Sequence, residues 1–453
     1  MTAAKLKQAS FLTAPIVPTL LKLAAPNMVG FFVMSCVSIA EMWYVGELGT
    51  SALAGFAVLF PFVMLMNMLG AGSIGGVIAA TTARAMGAGK VDRANRIVWH
   101  ATFLALAASA IFFGVEKIWV TDIAMAIGAS GDSLQHATTY SNIVFSGVFT
   151  LWLFNIFSSL LRGAGDMTTP AFAMVVTAIF QILISGALSL GWVGLPALGI
   201  AGIGYGTVIA AAIGALICFR KLLSGKSGIQ FSKDSLLWDP DMAKELVKVG
   251  GLAGINPFLS ISTIVLVTAM VSRFGESALA GFGIGTRLEF ILVPIVFGIG
   301  AAMISLVGSN IGAGQINRAQ NIGWVGGCMA FLICGLIGLL VAVYPEIWAG
   351  IFTDDAAVFT AAAEYLTIVG PAYAFFGLGL SLYFASQGAH AVFWPVFASV
   401  GRLIIAAGIG FYTLQNGEGD FHGLLICISA SLFFYGAIPT LALALGAWKK
   451  ANT

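Results

Sequence analysis

Residues 321–344 read NIGWVGGCMAFLICGLIGLLVAVY, an unbroken stretch without a single charged side chain. A helix needs about 20 mostly apolar residues to cross the hydrocarbon core of a bilayer. Polar and apolar residues do not alternate here, as they do in the strands of an outer-membrane barrel. Residues 101–115 show the same pattern. Because only helices satisfy their own backbone polar groups over such lengths in lipid, the sequence predicts membrane-spanning helices.

The composition extends this prediction to the whole chain. Of its 453 residues, 59% are hydrophobic and 9% are charged, and the mean hydropathy is +0.99. A soluble chain usually carries about 25% charged residues, and a disordered chain is poor in apolar ones. The net charge of +2 offers no basic surface for nucleic acid. We expect an all-α polytopic membrane protein with spans near 18–45, 52–80, 97–118, 137–161, 168–190, 197–219, 250–273, 278–308, 321–344, 358–386, 392–414 and 422–447.

The basic residues support twelve crossings with both termini in the cytoplasm. Lys117 and Arg273 then lie outside and Arg287 and Arg402 lie within spans, while the rest of the 21 basic residues lie inside, as the positive-inside rule requires. The inner basic residues are Lys5, Lys7, Lys22, Arg84, Lys90, Arg93, Arg96, Arg162, Arg220, Lys221, Lys226, Lys233, Lys244, Lys248, Arg318, Lys449 and Lys450. The outer acids include Asp354, Asp355, Glu418 and Asp420. We expect a multi-pass protein of a bacterial inner membrane.

Two segments recur in the same order in the two halves of the chain. Residues 51–56 read SALAGF and recur at 277–282, and GAGKVDRA at 87–94 is matched by GAGQINRA at 312–319. An even number of spans in each repeat keeps the two repeats parallel, as in transporters whose halves rock around a central site. The predicted units are an N-terminal lobe over 1–220, a cytoplasmic linker over 221–249 and a C-terminal lobe over 250–453.

A series of short motifs adds a family resemblance. The motifs are VGELG at 45–49, ALAG at 52–55, GAG at 87–89, LRGAGDMTTP at 161–170, LPALGIAG at 195–202 and VGSNIGAG at 307–314. Over about 20–445 the chain resembles multidrug and toxic compound extrusion (MATE) transporters of the MOP flippase superfamily. The resemblance implies twelve helices in two pseudo-symmetric six-helix lobes. It also implies export of amphipathic, often cationic compounds against proton or sodium entry, with no enzymatic activity.

The resemblance further implies a cation site in the N-terminal lobe. Glu41 stands where the first helix of the family usually carries Asp. The matching positions are Gln181, Ser185 and Thr207, and Ser185 replaces a second acidic residue that the family often has there. Neutral oxygens at these positions could solvate a cation or hydrogen-bond Glu41. Asn155 is a further polar candidate for the same site.

Two readings of Glu41 stay open from the residues alone. It could carry the coupling ion, or it could sit near the outer end of its helix and face water, as the neighbouring Trp43 suggests. Sodium prefers several oxygen ligands, whereas a proton needs one basic group. A lone acidic residue therefore favours proton coupling over sodium coupling.

Charged residues within the C-terminal spans form a second candidate site. A carboxylate inside the membrane is costly and normally marks an ion path or has a partner. Glu289 lies two residues from Arg287, so the two side chains point to different helix faces. Arg402 is the expected companion of Glu289, either in coupling or in a structural ion pair.

Substrate-binding candidates come from helix spacing and from tyrosines. Met64, Asn67 and Met68 share one helix face, and methionine suits adaptable pockets, although ordinary packing explains the same pattern. Further candidates are Tyr140, Tyr373 and Tyr383.

No cofactor is expected. The four histidines do not cluster in the sequence, and no nucleotide-binding loop appears. The expected partners are a small amphipathic or cationic molecule and the lipid bilayer, without nucleic acid, and the chain is expected to be a monomer.

Three other functions compete with multidrug export. A flippase for lipid-linked precursors would need a cleft rich in Arg and Lys. A major-facilitator transporter would need a motif from which GKVDRANR at 89–96 departs. A membrane enzyme or receptor would need clustered polar residues at the membrane surface or a soluble domain.

Overall fold

The computed structural model describes residues 9–415 and 420–452, so Lys5, Lys7 and Glu418 lie outside the described residues. Within those ranges the chain is helical and has no β-strand. Eleven helices of the described chain are long and apolar enough to cross a membrane, and one bent pair brings the number to twelve. The predicted all-α fold is confirmed.

We number the helices by crossing, in chain order. The first six are α1 (Ile16–Glu47), α2 (Thr50–Gly87), α3 (Val91–Ala126), α4 (Gly131–Ser146 with Val148–Gly163), α5 (Thr168–Leu190) and α6 (Ile200–Leu223). The last six are α7 (Pro240–Phe274), α8 (Glu276–Gly312), α9 (Ile316–Val343), α10 (Ala356–Gly388), α11 (Phe393–Tyr412) and α12 (Phe421–Ala444). Short helices cover Glu346–Ala349 and Ala447–Asn452.

Several of these helices are interrupted. The helix α2 contains a π-helical turn at Met68–Ile74, and α11 contains another at Ile404–Ile409. The two parts of α4 meet at an angle of 51°. Such turns leave part of the regular hydrogen-bond ladder open and are frequent at functional sites.

The connection between the two halves is shorter than the linker expected over 221–249. Helix α7 begins at Pro240, because the Asp239 side chain accepts hydrogen bonds from the backbone N–H groups of Asp241 and Met242, both at 3.1 Å. A capping Asp followed by Pro at the first helical position is a strong start signal. Residues 224–239 therefore form the connection.

This connection lies against α3. The indole of Trp99 donates to the carbonyl of Ser232 at 2.9 Å, and the N–H of Asp239 donates to Nε2 of His100 at 3.0 Å. The ring of Trp238 stacks on His100 with centroids 5.0 Å apart. These contacts fix the connection to the N-terminal lobe.

Each lobe has its own apolar core, and a third cluster joins them. The first core is built mainly from α1–α6 and the second mainly from α7–α12. The joining cluster includes Leu23 of α1 and Leu306 of α8. The lobes also approach each other closely where a Cβ at Gly87 would overlap the backbone of Ser309. We call this end of the bundle the basic end. It carries Arg84 and the C-terminal ends of α2, α4 and α6.

Candidate functional site

Glu41 is the centre of a polar cluster buried in the N-terminal lobe. It lies in α1 and is 7% exposed. Its Oε1 accepts hydrogen bonds from Nε2 of Gln181 at 2.8 Å, Oγ1 of Thr207 at 3.2 Å and Oγ of Ser185 at 3.4 Å. Gln181 and Ser185 are four residues apart on α5 and therefore share one helix face. The structure brings together the four residues that the family resemblance picked out, and Glu41 does not face open water.

Two tyrosines complete the wall of this cluster. Tyr140 of α4 was a substrate candidate, but it is 3% exposed and lies beside Thr207. Tyr44, which the sequence reasoning missed, donates its hydroxyl to the carbonyl of Ile182 at 3.1 Å. Its spacing of three from Glu41 on the same helix was the available signal.

The cluster holds a carboxyl group among neutral donors. Among the described residues, no basic side chain lies within 4.0 Å of Glu41, and the ion pairs lie elsewhere. Close packing of α5 on α6 makes the arrangement possible, since a Cβ at Gly206 would overlap the Ser185 side chain. Small residues allow such close helix approach in membranes.

Asn155 lies apart from this cluster. It sits on the second part of α4, where a Cβ at Gly70 would be 3.0 Å from its Nδ2. None of its contacts in the described chain reaches Glu41. Asn155 therefore faces the π-helical turn of α2, and its predicted role in the cation site remains a prediction.

Glu289 and Arg402 lie in one polar region of the C-terminal lobe without forming a close ion pair. Both are half-buried and interact electrostatically, but no carboxylate oxygen of the described chain lies within 4.0 Å of Arg402. The guanidinium instead stands over the rings of Tyr435 at 5.5 Å and Phe376 at 5.8 Å. Arg287 is exposed and stands over Phe352, so it points away from Glu289.

Tyr373 and Tyr383 are buried in the same lobe. The Tyr373 hydroxyl is 2.9 Å from that of Tyr365. The Tyr383 hydroxyl donates to the carbonyl of Ala253 at 3.0 Å and lies 2.9 Å from Oγ of Ser73 in the π-helical turn of α2. Tyr383 therefore links the two lobes in this conformation.

Met64, Asn67 and Met68 lie along α2 next to this turn. Met64 and Asn67 are exposed, and Met68 is half-buried at the first position of the turn. The Asn67 amide donates to the carbonyl of Val63 at 3.1 Å. Met64 and Asn67 thus lie on the surface of α2, and no contact in the described chain joins the three side chains to Glu41.

The family model for MatE matches residues 26–186 and 254–412, which is more than half of the chain. The chain belongs to the MatE family. This membership supports transport rather than catalysis and sets aside the major-facilitator alternative. In this chain, the polar cluster around Glu41 lies in the N-terminal lobe and the region around Arg402 lies in the C-terminal lobe.

Similarity to individual MatE relatives covers most of the chain. The FAD transporter of Shewanella oneidensis is 23% identical and covers 88% of this chain and 89% of its own. A probable multidrug resistance protein NorM of Thermotoga maritima is 24% identical, and the match covers 95% of this chain and 93% of that protein. The solved structure of an outward-facing multidrug resistance MATE transporter is 19% identical, with a TM-score of 0.88. The match covers 97% of this chain and 98% of that one. The last likeness concerns the fold alone.

In this MatE chain, polar contacts close the basic end across the lobes. Oγ1 of Thr81 is 3.1 Å from Nε2 of His390, whose Nδ1 is 3.5 Å from Oε1 of Glu245. Arg93 then donates to Oε2 of Glu245 at 2.6 Å. We call Thr81, His390, Glu245 and Arg93 the closure chain. It was missed because its members are scattered in the sequence.

His390 is neutral in this arrangement. Burial, aided by the charges of Arg84 and Arg93, lowers the pKa of its imidazole from 6.5 to about 3. Its contact with Glu245 is therefore not an ion pair at neutral pH. Its φ of 54° also places it in the left-handed region, which a non-glycine residue rarely adopts.

Proposed function

We propose that this MatE chain is a secondary active exporter of amphipathic, often cationic compounds, driven by proton entry through alternating access. The observation that carries the proposal is the buried carboxyl group of Glu41 with its neutral hydrogen-bond donors. A group that exchanges a proton inside the membrane can couple proton entry to a change in packing.

The hydrogen-bond geometry of Glu41 favours a proton over sodium. All three donors reach Oε1, and Oε2 receives none of these hydrogen bonds. A proton on Oε2 leaves Oε1 an acceptor, so the same donors serve both protonation states. Gln181 also turns its Nε2 toward Glu41, whereas a sodium ion would need the amide oxygen.

Protonation of Glu41 changes how strongly α1 is held. A hydrogen bond to a charged group contributes about 1.5–3 kcal/mol, against roughly 1 kcal/mol for a neutral pair. Losing the charge therefore weakens the bonds from α5 and α6 to α1. Because α1 also packs against α8, we propose that this loosening is passed to the other lobe.

We propose that the basic end faces the cytoplasm, so that the closure chain holds the transporter shut on that side. This matches the positive-inside distribution of Lys and Arg. We also propose a monomer in a bacterial inner membrane with both termini cytoplasmic. Protease protection of tags at either end, in inverted and right-side-out vesicles, tests that orientation.

The remaining residues receive proposed roles in the C-terminal lobe and along α2. We propose Glu289, near Arg402, as a second coupling carboxylate. We propose Met64, Asn67, Met68, Tyr140, Tyr373 and Tyr383 as substrate contacts in the course of the cycle, with Asn155 beside them.

A Glu41→Gln variant tests the proposal. The purified native protein in liposomes should transport a fluorescent cationic dye when a proton gradient is imposed. The variant should lose this proton-driven transport while it still binds the dye. Glu47→Gln is the matched control, since Glu47 is exposed at the end of the same helix. Proton-driven efflux that persists in Glu41→Gln would remove Glu41 as the carrier.

One relative suggests a second substrate class. The FAD transporter of Shewanella oneidensis acts, by its name, on an anionic dinucleotide. We therefore propose FAD as a second substrate to assay, with release of FAD from loaded liposomes as the readout. Release of FAD without any dye efflux would favour this class over cationic compounds.

A further inference from the structure

Arg162 carries a buried positive charge without a negative partner. It lies in α4 near the basic end, in the LRGAGD stretch, and is 6% exposed. Among the described residues no carboxylate oxygen lies within 4.0 Å of its guanidinium, and its Nε has no hydrogen-bond partner. The guanidinium stands over the ring of Phe31, 5.6 Å from the ring centroid.

Asp166, the acidic residue nearest to Arg162 in the sequence, does not form an ion pair with it. Asp166 accepts hydrogen bonds from Thr169 and Ser227 and pairs with Lys221 at 3.6 Å. Burial acts to raise the pKa of Asp166, but the hydrogen bonds from Thr169 and the charge of Lys221 outweigh it and lower that pKa. Because Arg stays protonated in proteins and an unpaired buried charge is strongly unfavourable, Arg162 calls for a negative partner from outside the chain.

A small cavity beside Arg162 offers the place for that partner. It has room for about one water-sized particle. Its lining includes Ser159, Gly76 and the rings of Phe31, Phe297 and Phe384. The rings of Phe31 and Phe297 lie 5.4 Å apart, edge to face.

We propose that Arg162 binds a small monovalent anion of chloride size in this cavity. The guanidinium N–H groups and the Ser159 hydroxyl supply the donors, and apolar side chains form most of the remaining wall. Carboxylate and phosphate groups are too large for a space of one particle.

The site belongs to one conformation of the transporter. Its walls come from α1, α2 and α4 of the N-terminal lobe and from α8 and α10 of the other lobe. Oγ of Ser305 also donates to the Arg162 carbonyl at 2.8 Å and holds α8 against α4 here. Because both lobes are needed to form the site, a bound anion stabilises the form closed at the basic end.

Thermal unfolding of the full chain in detergent tests the proposal. Chloride or bromide replaces gluconate at constant ionic strength and pH, so that only the small anion changes. The Tm of the native chain should rise and saturate with either halide, because the ligand binds the folded state only. Arg162→Gln should abolish the halide dependence, and the exposed Arg287→Gln control should keep it. Arg162→Lys keeps the positive charge but lacks the planar guanidinium with its several N–H donors. This variant should need about 10-fold more halide to reach the same rise in Tm.

A second measurement uses the unmodified chain, so it does not depend on how the variants fold. Crystals soaked in bromide should show an anomalous peak beside the Arg162 guanidinium. A halide-dependent Tm that persists in Arg162→Gln overturns the proposal, and so does its absence in the native chain. A peak only at surface sites, or a Tm rise with phosphate or acetate but not with halide, also overturns it.

Discussion

Acid should weaken the closed basic end through His390, and the size of the effect follows from its surroundings. The folded chain keeps the imidazole neutral down to a pKa of about 3, whereas the unfolded chain protonates it near 6.5. Between those values the unfolded state binds more protons, so stability rises with pH and is lost as pH falls below 6.5. The charged groups facing the ring are Arg84 of α2, Arg93 of α3 and Glu245 of α7, and the two arginines oppose its protonation.

The expected loss is about 1.4 kcal/mol at pH 5.5, since one pKa unit corresponds to that amount. His390→Asn should remove this contribution, because Asn does not titrate and tolerates the left-handed backbone at φ 54°. Unfolding of the native chain and the variant in detergent, followed by tryptophan fluorescence at pH 7.5 and 5.5, measures the difference. His136→Asn at the start of α4 is the control. Equal loss of stability in the native chain and in His390→Asn would refute the reasoning.

Three further changes test the packing and the loops. Gly206→Val places a side chain into Ser185 and should destabilise the fold by about 1–3 kcal/mol in thermal unfolding, whereas Gly46→Val, which meets open space, should not. Asp239→Ala removes the cap of α7 and should cost about 1 kcal/mol in the same assay, and a change below the error would contradict the cap. Asp166→Asn should destabilise by roughly 1–3 kcal/mol at pH 7. Because the pKa of Asp166 is lowered in the fold, this deficit should shrink as pH falls below 4, and a constant deficit would count against it.

The sequence predicts the helices well because lipid imposes a simple rule on them. Long apolar runs must be helical in a bilayer, and the repeated SALAGF segment indicates two similar halves. The interruptions in α2 and α11 were not predicted, since MLGAGSI and IIAAGI are as apolar as their flanks. The early start of α7 was missed because its first turns are polar, although Asp239 and Pro240 carried the signal.

The site could be predicted only where a resemblance supplied the tertiary contacts. Glu41 and Gln181 are 140 positions apart, and helix periodicity alone cannot bring them together. His390 and Glu245 meet only through the packing of the two lobes. Arg162 was counted as an inner surface charge, because the positive-inside rule registers which side a residue is on and not whether it is buried.

Dye efflux from liposomes under separately imposed proton and sodium gradients tests the central claim most directly. A proton gradient without sodium should drive efflux in the native chain and fail in Glu41→Gln, and a sodium gradient at equal pH on both sides should drive neither. Efflux that needs sodium, with the pH gradient clamped at zero, would contradict proton coupling at Glu41.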